Sequence, residues 1–367
     1  MSMQVPFLDL KRGFATHADA FEQAIAEVAA SGYYILGPHV KALEAAMAEY
    51  LDVPHTLSCA SGTDALHLGV VASGIQCGDE IITTPFTFAA TVESIQYVGA
   101  TAVLVDIEPD TFNIDPAKIE AAITPKTRAI MPVHLFGLPA NMDAIMQIAA
   151  EHDLVVIEDA AQSLGGRWKD RQTGSIGTVG AYSFYPSKTL GCFGDGGLVS
   201  CHDSDLYQRL VELRNHGFDP GGNHVRLGYN SRLDEIQAAI LEIKLPHFDA
   251  MIERRREIAG RYNEAFSSTA AETQANPEGT YHACGYYTIL VPDRDEVRKT
   301  LQDNGVATAL YYGRPLHQHP YYSNTCRITD MPVAEDAAGR CLSLPIYPEM
   351  TDAEVDYVVS TTVAALD

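Results

Sequence analysis

The chain is short of positive charge. Of 367 residues, 25 are basic and 48 acidic, a formal net charge of −23. Nucleic acids and anionic membrane surfaces are held through lysine and arginine, so neither is expected as a partner. An anionic small molecule stays open, because a local basic pocket can sit on an acidic body. Long apolar runs are also missing, and nothing approaches the ~18 residues of a membrane span. The segment MSMQVPFLDLKRG has no continuous apolar stretch and no cleavage-like site, so no secretory signal is expected and the cytoplasm is the expected compartment. Seven cysteines (Cys59, Cys77, Cys192, Cys201, Cys284, Cys326, Cys341) are scattered and form no CxxC. That excludes a zinc ribbon and a disulfide frame, and no metal site is expected. Neither GxxxxGK[ST] nor GxGxxG occurs, so the P-loop and the dinucleotide fingerprint are out.

What remains is an ordinary globular composition, 46% hydrophobic and 20% charged, long enough for about two domains. Strand and helix patterns alternate through the first two-thirds. HTLSCASGTDALHLGVVASG (55–74) reads as strand, small-residue turn and helix, and DEIITTPFTFAATVESIQYVGA (79–100) repeats the plan. Apolar strands follow at 100–107, 129–136, 154–159, 179–186 and 196–201, with a helix over 142–153. Apolar strands alternating with helices predict a mostly parallel sheet covered on both faces. Thr16 is expected to cap the helix carrying Phe21, Ala24, Ile25 and Val28. The last third carries a helix through MIERRREIAGRYNEAF and short strands at GYYTILVP and GVATALYY, which predict a smaller α+β domain. The expected division is 1–245 and 246–367.

Ligands of open parallel sheets bind at the carboxyl ends of the strands, and four features fall there. In SGTDA (61–65), Gly62 and Thr63 open a helix where backbone N–H groups can approach a phosphate. In IEDAAQS (157–163), Asp159 ends a buried strand and needs a partner such as a protonated ring nitrogen. In PFTFAAT (85–91), Phe88 can lay its face on a planar ligand. In SFYPSKTLGCFGDGG (183–197), Ser183 offers a hydroxyl and Lys188 sits between apolar residues and a glycine-dense loop. Partial burial disfavours a lysine's charged form and makes its amine a nucleophile toward a carbonyl. Each feature alone has a plainer reading: a helix cap, a capping aspartate, a core ring, a solvated lysine. Together they describe the needs of one cofactor, pyridoxal 5′-phosphate (PLP), with phosphate cradle, aromatic face, carboxylate and lysine.

These residues lie within longer motifs: FLDL (7–10), YILGPHVKALE (34–44), SGTDAL (61–66), GDEIITTPFTFAAT (78–91), IEDAAQSLGG (157–166), the lysine segment, and LGYNSRLDEIQAAIL (227–241). Nearly end to end, the chain resembles the sugar-nucleotide aminotransferases of the DegT–StrS group. The resemblance implies a fold type I PLP transferase, an α/β fold whose mostly parallel central sheet lies between helices. It implies that Lys188 bonds to the cofactor aldehyde and shuttles the proton. Asp159 would hold the pyridine nitrogen, and Gln162 would sit near the phenolic oxygen. Gly62, Thr63 and Ser183 would bind the phosphate, and Phe88 would stack on the ring. Asn230 would reach the phosphate of a neighbouring subunit's site, so a homodimer is implied, and Arg232 would contact substrate.

One departure bears on substrate. Where the group commonly has His-Tyr-Pro, this chain has LYYGRPLHQHP (310–320), with Tyr311 in the histidine's place, Tyr312 kept, Gly313 in the proline's place and Arg314 following. The loop is expected to face the sugar. The implied reaction moves an amino group from L-glutamate to a keto-sugar nucleotide for aminosugar biosynthesis, as in lipopolysaccharide or a glycosylated metabolite. The motifs look most like those of enzymes acting at C-3 of dTDP- or UDP-linked 3-keto sugars, with C-4 amination as the alternative. Two other readings use the same scaffold: a sugar dehydratase, which has histidine where Lys188 stands, and a non-catalytic regulator.

Overall fold

The structure, a computed structural model, describes residues 3–366. Eight strands form the main sheet: β1 (His55–Cys59), β2 (Glu80–Thr83), β3 (Thr101–Leu104), β4 (Thr127–Ile130), β5 (Val155–Asp159), β6 (Val179–Ser183), β7 (Gly197–Cys201) and β8 (Arg327–Ile328). Their order is β1-β7-β6-β5-β4-β2-β3-β8. Only β7 runs against its neighbours, pairing antiparallel with β1 and β6, so the sheet is mostly parallel as expected. Its strands are apolar on both sides because both sides are covered. Ile81, Leu104, Ala129 and Ile157 enter one core, while their chain neighbours Ile82, Val103, Ile130 and Val156 enter another. Each such isoleucine or leucine contributes roughly 1.5–3 kcal/mol by leaving water.

Helix Gly62–Ala72 is buried along nearly its whole length. A Cβ on Gly69 would stand 2.9 Å from Val179 Cγ1, so glycine lets this helix lie close against β6. The C-terminal part packs a three-stranded antiparallel sheet (Glu272–Thr273, Tyr287–Leu290, Cys341–Leu344) against helices Phe248–Phe266, Arg294–Asp303 and Asp352–Leu366. We propose the domain boundary at 245/246, inside the 3₁₀ turn Leu245–His247 that separates two helices. Two segments cross it: Val5 bridges Val306, and β8 extends the main sheet beside β3.

Two local expectations are corrected. Thr16 does not cap the second helix. It closes the first, Leu10–Ala15, with its hydroxyl donating to the Arg12 carbonyl, and helix Ala18–Ser31 starts after His17. GVATALYY is not a regular strand. Only Val306 and Ala309 make single bridges, because Leu310, Tyr311 and Tyr312 leave the ladder to line a cavity.

The acidic pair ending β5 divides by the strand pleat. Glu158 is fully buried and accepts from the backbone N–H groups of Gly174 (2.8 Å), Ile176 (2.7 Å) and Gly177 (2.6 Å). His134 Nε2 lies 2.9 Å away, and its Nδ1 accepts from the Ala140 N–H, which leaves the ring proton on Nε2. Burial pushes the Glu158 carboxyl upward, but His134 and the backbone donors outweigh it and hold it below its ordinary 4.5. Glu158→Gln should therefore lower unfolding free energy by about 3 kcal/mol at pH 7, measured by denaturant titration. Because the folded value is depressed, this contribution is complete above pH 4.5 and is lost as pH falls through the folded value. The gap between the two proteins should narrow below pH 4.5; equal stability at pH 7 would contradict the assignment.

Candidate active site

A cavity of about 640 Å³ opens at the carboxyl ends of the strands, a size suited to a small-molecule ligand. Asp159, at the end of β5, forms part of its floor and is 5% exposed. Burial raises its carboxyl, opposed by Thr91 Oγ1, which donates to Oδ2 at 2.7 Å, and by the Ala161 N–H, which donates to Oδ1 at 3.2 Å. Thr87 Oγ1, four residues earlier and just ahead of the helix, lies 2.9 Å from Thr91 Oγ1 and completes a chain of hydroxyls. Gln162 accepts from the Phe136 N–H (2.8 Å) and donates to the Tyr312 hydroxyl (2.9 Å), which fixes both ends of its amide.

Lys188 is half-buried at the reversal after β6, its backbone N–H closing on the Tyr185 carbonyl. Its Nζ stands 5.5 Å from the centre of the Tyr286 ring, and no carboxylate or carbonyl accepts from it among the described residues. Helix Gly62–Ala72 points its N-terminus at the cavity. Its cap, Ser61, accepts from the Asp64 N–H, while the N–H groups of Gly62 and Thr63 find no acceptor among the described residues. Two N–H groups and a helix dipole therefore face the cavity beside the Ser183 hydroxyl. Glycine is required at 62, since a Cβ there would stand 2.6 Å from Ser183 Cβ. The ring of Phe88 also lines the cavity and is 58% exposed, unusual for a phenylalanine and available to a planar ligand.

Tyr311 and Tyr312 form the opposite wall with Tyr286. Burial raises the Tyr311 hydroxyl to about 12 and the Tyr312 hydroxyl well above its ordinary value, so both stay protonated. Sequence reasoning missed Thr91, Tyr286 and Asp195. Thr91 was signalled by its four-residue spacing from Thr87, and Asp195 lies within the glycine-dense loop already singled out. Tyr286 carried no local signal, since only the fold returns residue 286 to Lys188. Three candidates lie outside the cavity lining: Asn230 is exposed and bridged to Asn215, Arg232 donates to Asn215 Oδ1 (3.0 Å), and Arg314 is exposed.

Residues 16–363 match the DegT/DnrJ/EryC1/StrS aminotransferase family. The chain belongs to that family. Over 351 residues it is 44% identical to the UDP-N-acetyl-3-dehydro-alpha-D-glucosamine 3-aminotransferase of Acidithiobacillus ferrooxidans, covering 96% of this chain and 95% of that one. It is 45% identical over 361 residues, 97% of each chain, to a protein of Geobacillus stearothermophilus named a pleiotropic regulatory protein. Among solved structures, NtdA of Bacillus subtilis with bound PMP superposes with a TM-score of 0.92 at 31% identity, covering 99% of this chain and 85% of that one.

PLP is the cofactor of this aminotransferase, and the residues present fit it. Asp159 is a carboxylate that burial disfavours and a cation would stabilise, the helix offers two free N–H groups to a phosphate, and Lys188 shares the cavity with both. Gly62→Ala should displace the helix start and weaken PLP binding at least tenfold in a fluorescence titration. Unchanged affinity would show that the close approach of this helix to Ser183 does not matter to the cofactor.

Proposed function

We propose that the protein transfers the amino group of L-glutamate to C-3 of a dTDP- or UDP-linked 3-keto sugar. The observation that carries this reading is the convergence of Lys188, Asp159 and the N-terminus of helix Gly62–Ala72 on one cavity. The name of the Acidithiobacillus relative, a 3-aminotransferase of a UDP sugar, supports position 3. When bound, the cofactor supplies an electron sink for the pair left as a substrate carbon loses its proton. Lys188 Nζ would take that proton from the donor α-carbon and return it, on the same face, to the carbon at the other end of the C–N unit. In the second half-reaction it moves a proton to the sugar carbon that receives nitrogen. Asp159 would keep the ring nitrogen protonated, and its hydroxyl chain through Thr91 and Thr87 holds the carboxylate in position. Gln162, clamped by Phe136 and Tyr312, would face the phenolic oxygen. Among the residues that line the cavity, Gly62, Thr63 and Ser183 would hold the phosphate, Phe88 would cover the ring, and Tyr311 with Tyr312 would turn an aromatic wall to the sugar and exclude water.

The working unit is a homodimer in which Asn230 completes the partner's phosphate site, and Arg232, in the same motif, contacts substrate. Exposed apolar side chains on two loops support an interface: Tyr33 (66%), Tyr34 (54%) and Ile35 on one, Val225 and Leu227 (84%) on the other. Arg314, exposed two residues after Tyr312, would meet an anionic group of the substrate. The enzyme acts in the cytoplasm, and its product feeds a cell-surface polysaccharide such as lipopolysaccharide, or a glycosylated metabolite.

Three outcomes test this reading. Lys188→Ala should cut turnover by about 10²–10⁴-fold, the loss expected for a proton-transfer group, while still binding PLP; normal turnover would overturn the assignment. Given a panel of keto-sugar nucleotides, the wild type should prefer 3-keto over 4-keto acceptors at least tenfold in kcat/KM, and the reverse order would move the reaction to C-4. Mixing inactive Lys188→Ala and Asn230→Ala proteins should restore activity, because one site of the mixed dimer then holds both intact residues. No recovery after confirmed subunit exchange would place Asn230 in its own subunit's site.

A further inference from the structure

The segment that follows Val225 and Leu227 alternates in burial. Ser231 (2% exposed) and Leu233 are buried, whereas Asn230 is exposed and Arg232 half-buried. That is the period of extended backbone, and the segment keeps it by pairing with the end of helix Ser204–Arg214. The Tyr229 N–H donates to the Leu213 carbonyl (2.7 Å), the Ser231 N–H donates to the Arg214 carbonyl (3.0 Å), and Asn230 bridges Asn215. Two carbonyls that a helix end leaves without intrahelical donors are satisfied in this way.

Side chains then tie the segment to the first turn of the phosphate-facing helix. Ser231 Oγ donates to Asp64 Oδ2 at 2.7 Å, a hydroxyl on a carboxylate and so among the stronger hydrogen bonds. Asp64 stands two residues after Gly62 in helix Gly62–Ala72. No cation pairs with it among the described residues, and Ser231 is the one side chain there that donates to it. A second tie runs through Arg214, which donates to the Ser58 carbonyl of β1 (3.1 Å) and to Glu44. Glu235, buried two residues after Leu233, accepts from the Gly37 N–H at 2.8 Å and anchors the far end.

The Asn230 side chain has no partner among the described residues. An exposed amide on a loose loop would have to be ordered on binding, whereas one beside a pinned residue is already placed. We propose that Ser231 is a positioning residue for Asn230. Bonded to Asp64 on its own subunit's phosphate helix, it fixes the backbone that presents the Asn230 amide to the partner's phosphate. Each cofactor site is then aligned by two such helices: its own, and, through Ser231 and Asn230, that of the other subunit. This rests on Asn230 acting across a homodimer.

The test is the PLP affinity of the full-length protein, by fluorescence titration, in two backgrounds. Ser231→Ala should raise the Kd about tenfold, the scale of one lost hydrogen bond to a charged group. Ser231→Cys, close in size and a weak donor, should act in the same direction and serves if the alanine variant does not fold. In an Asn230→Ala background, itself weaker for PLP, neither substitution should alter Kd further, because the group they position is gone. A merely structural role would weaken PLP equally in both backgrounds, and that result would overturn the proposal. So would an unchanged Kd in the Ser231 variants while Asn230→Ala alone weakens PLP; Asn230 would then act across the dimer without Ser231. If Asn230→Ala leaves the affinity unchanged, the reading of Asn230 falls, and this inference falls with it.

Discussion

Two adjacent carboxylates end one buried strand, and the architecture depends on satisfying both. The pleat of β5 sends them opposite ways. Glu158 turns into the protein, where three backbone N–H groups and His134 surround it and fix the 174–177 turn against the sheet. Asp159 turns to the cavity with two donors and stays disfavoured by burial, which is the state in which a cationic ring nitrogen is most strongly held. The first carboxylate anchors the strand end and the second uses that anchor. A carboxylate needed to tune a cofactor must not move, and its chain neighbour is tied at four points.

The rest of the cavity follows from what parallel strands do at their carboxyl ends. The turn after β1 starts a helix whose N–H groups point inward, the turn after β2 presents Phe88, and the turn after β6 delivers Lys188. Close approach decides whether these meet. Gly62 lets the helix start touch Ser183, and a Cβ on Gly197 would fall 2.2 Å from the Ser61 carbonyl oxygen, so both glycines bring the β1 and β6 ends together.

Most of this large-domain frame was legible in the sequence, because apolar strands alternating with helices are a strong local signal. Lys188, Asp159, Gly62 and Phe88 were legible because each sits at a strand end, where ligands of such sheets bind. The C-terminal part was read less well. GVATALYY has strand composition, yet cavity contacts by its last residues pull it out of the ladder, and no local pattern reports that. Thr16 fits a cap by composition, yet its hydroxyl bonds backward to Arg12 and closes the earlier helix. Tyr286 was invisible because its nearness to Lys188 is produced by the whole fold.

The central claim is that Lys188 and Asp159 work on one bound cofactor that passes an amino group between two substrates. The most direct measurement is an absorbance spectrum of the purified, PLP-loaded protein before and after L-glutamate. The account predicts a yellow band that glutamate bleaches and a 3-keto-sugar nucleotide restores. A band that no amino acid bleaches, or no band after added PLP, would contradict it.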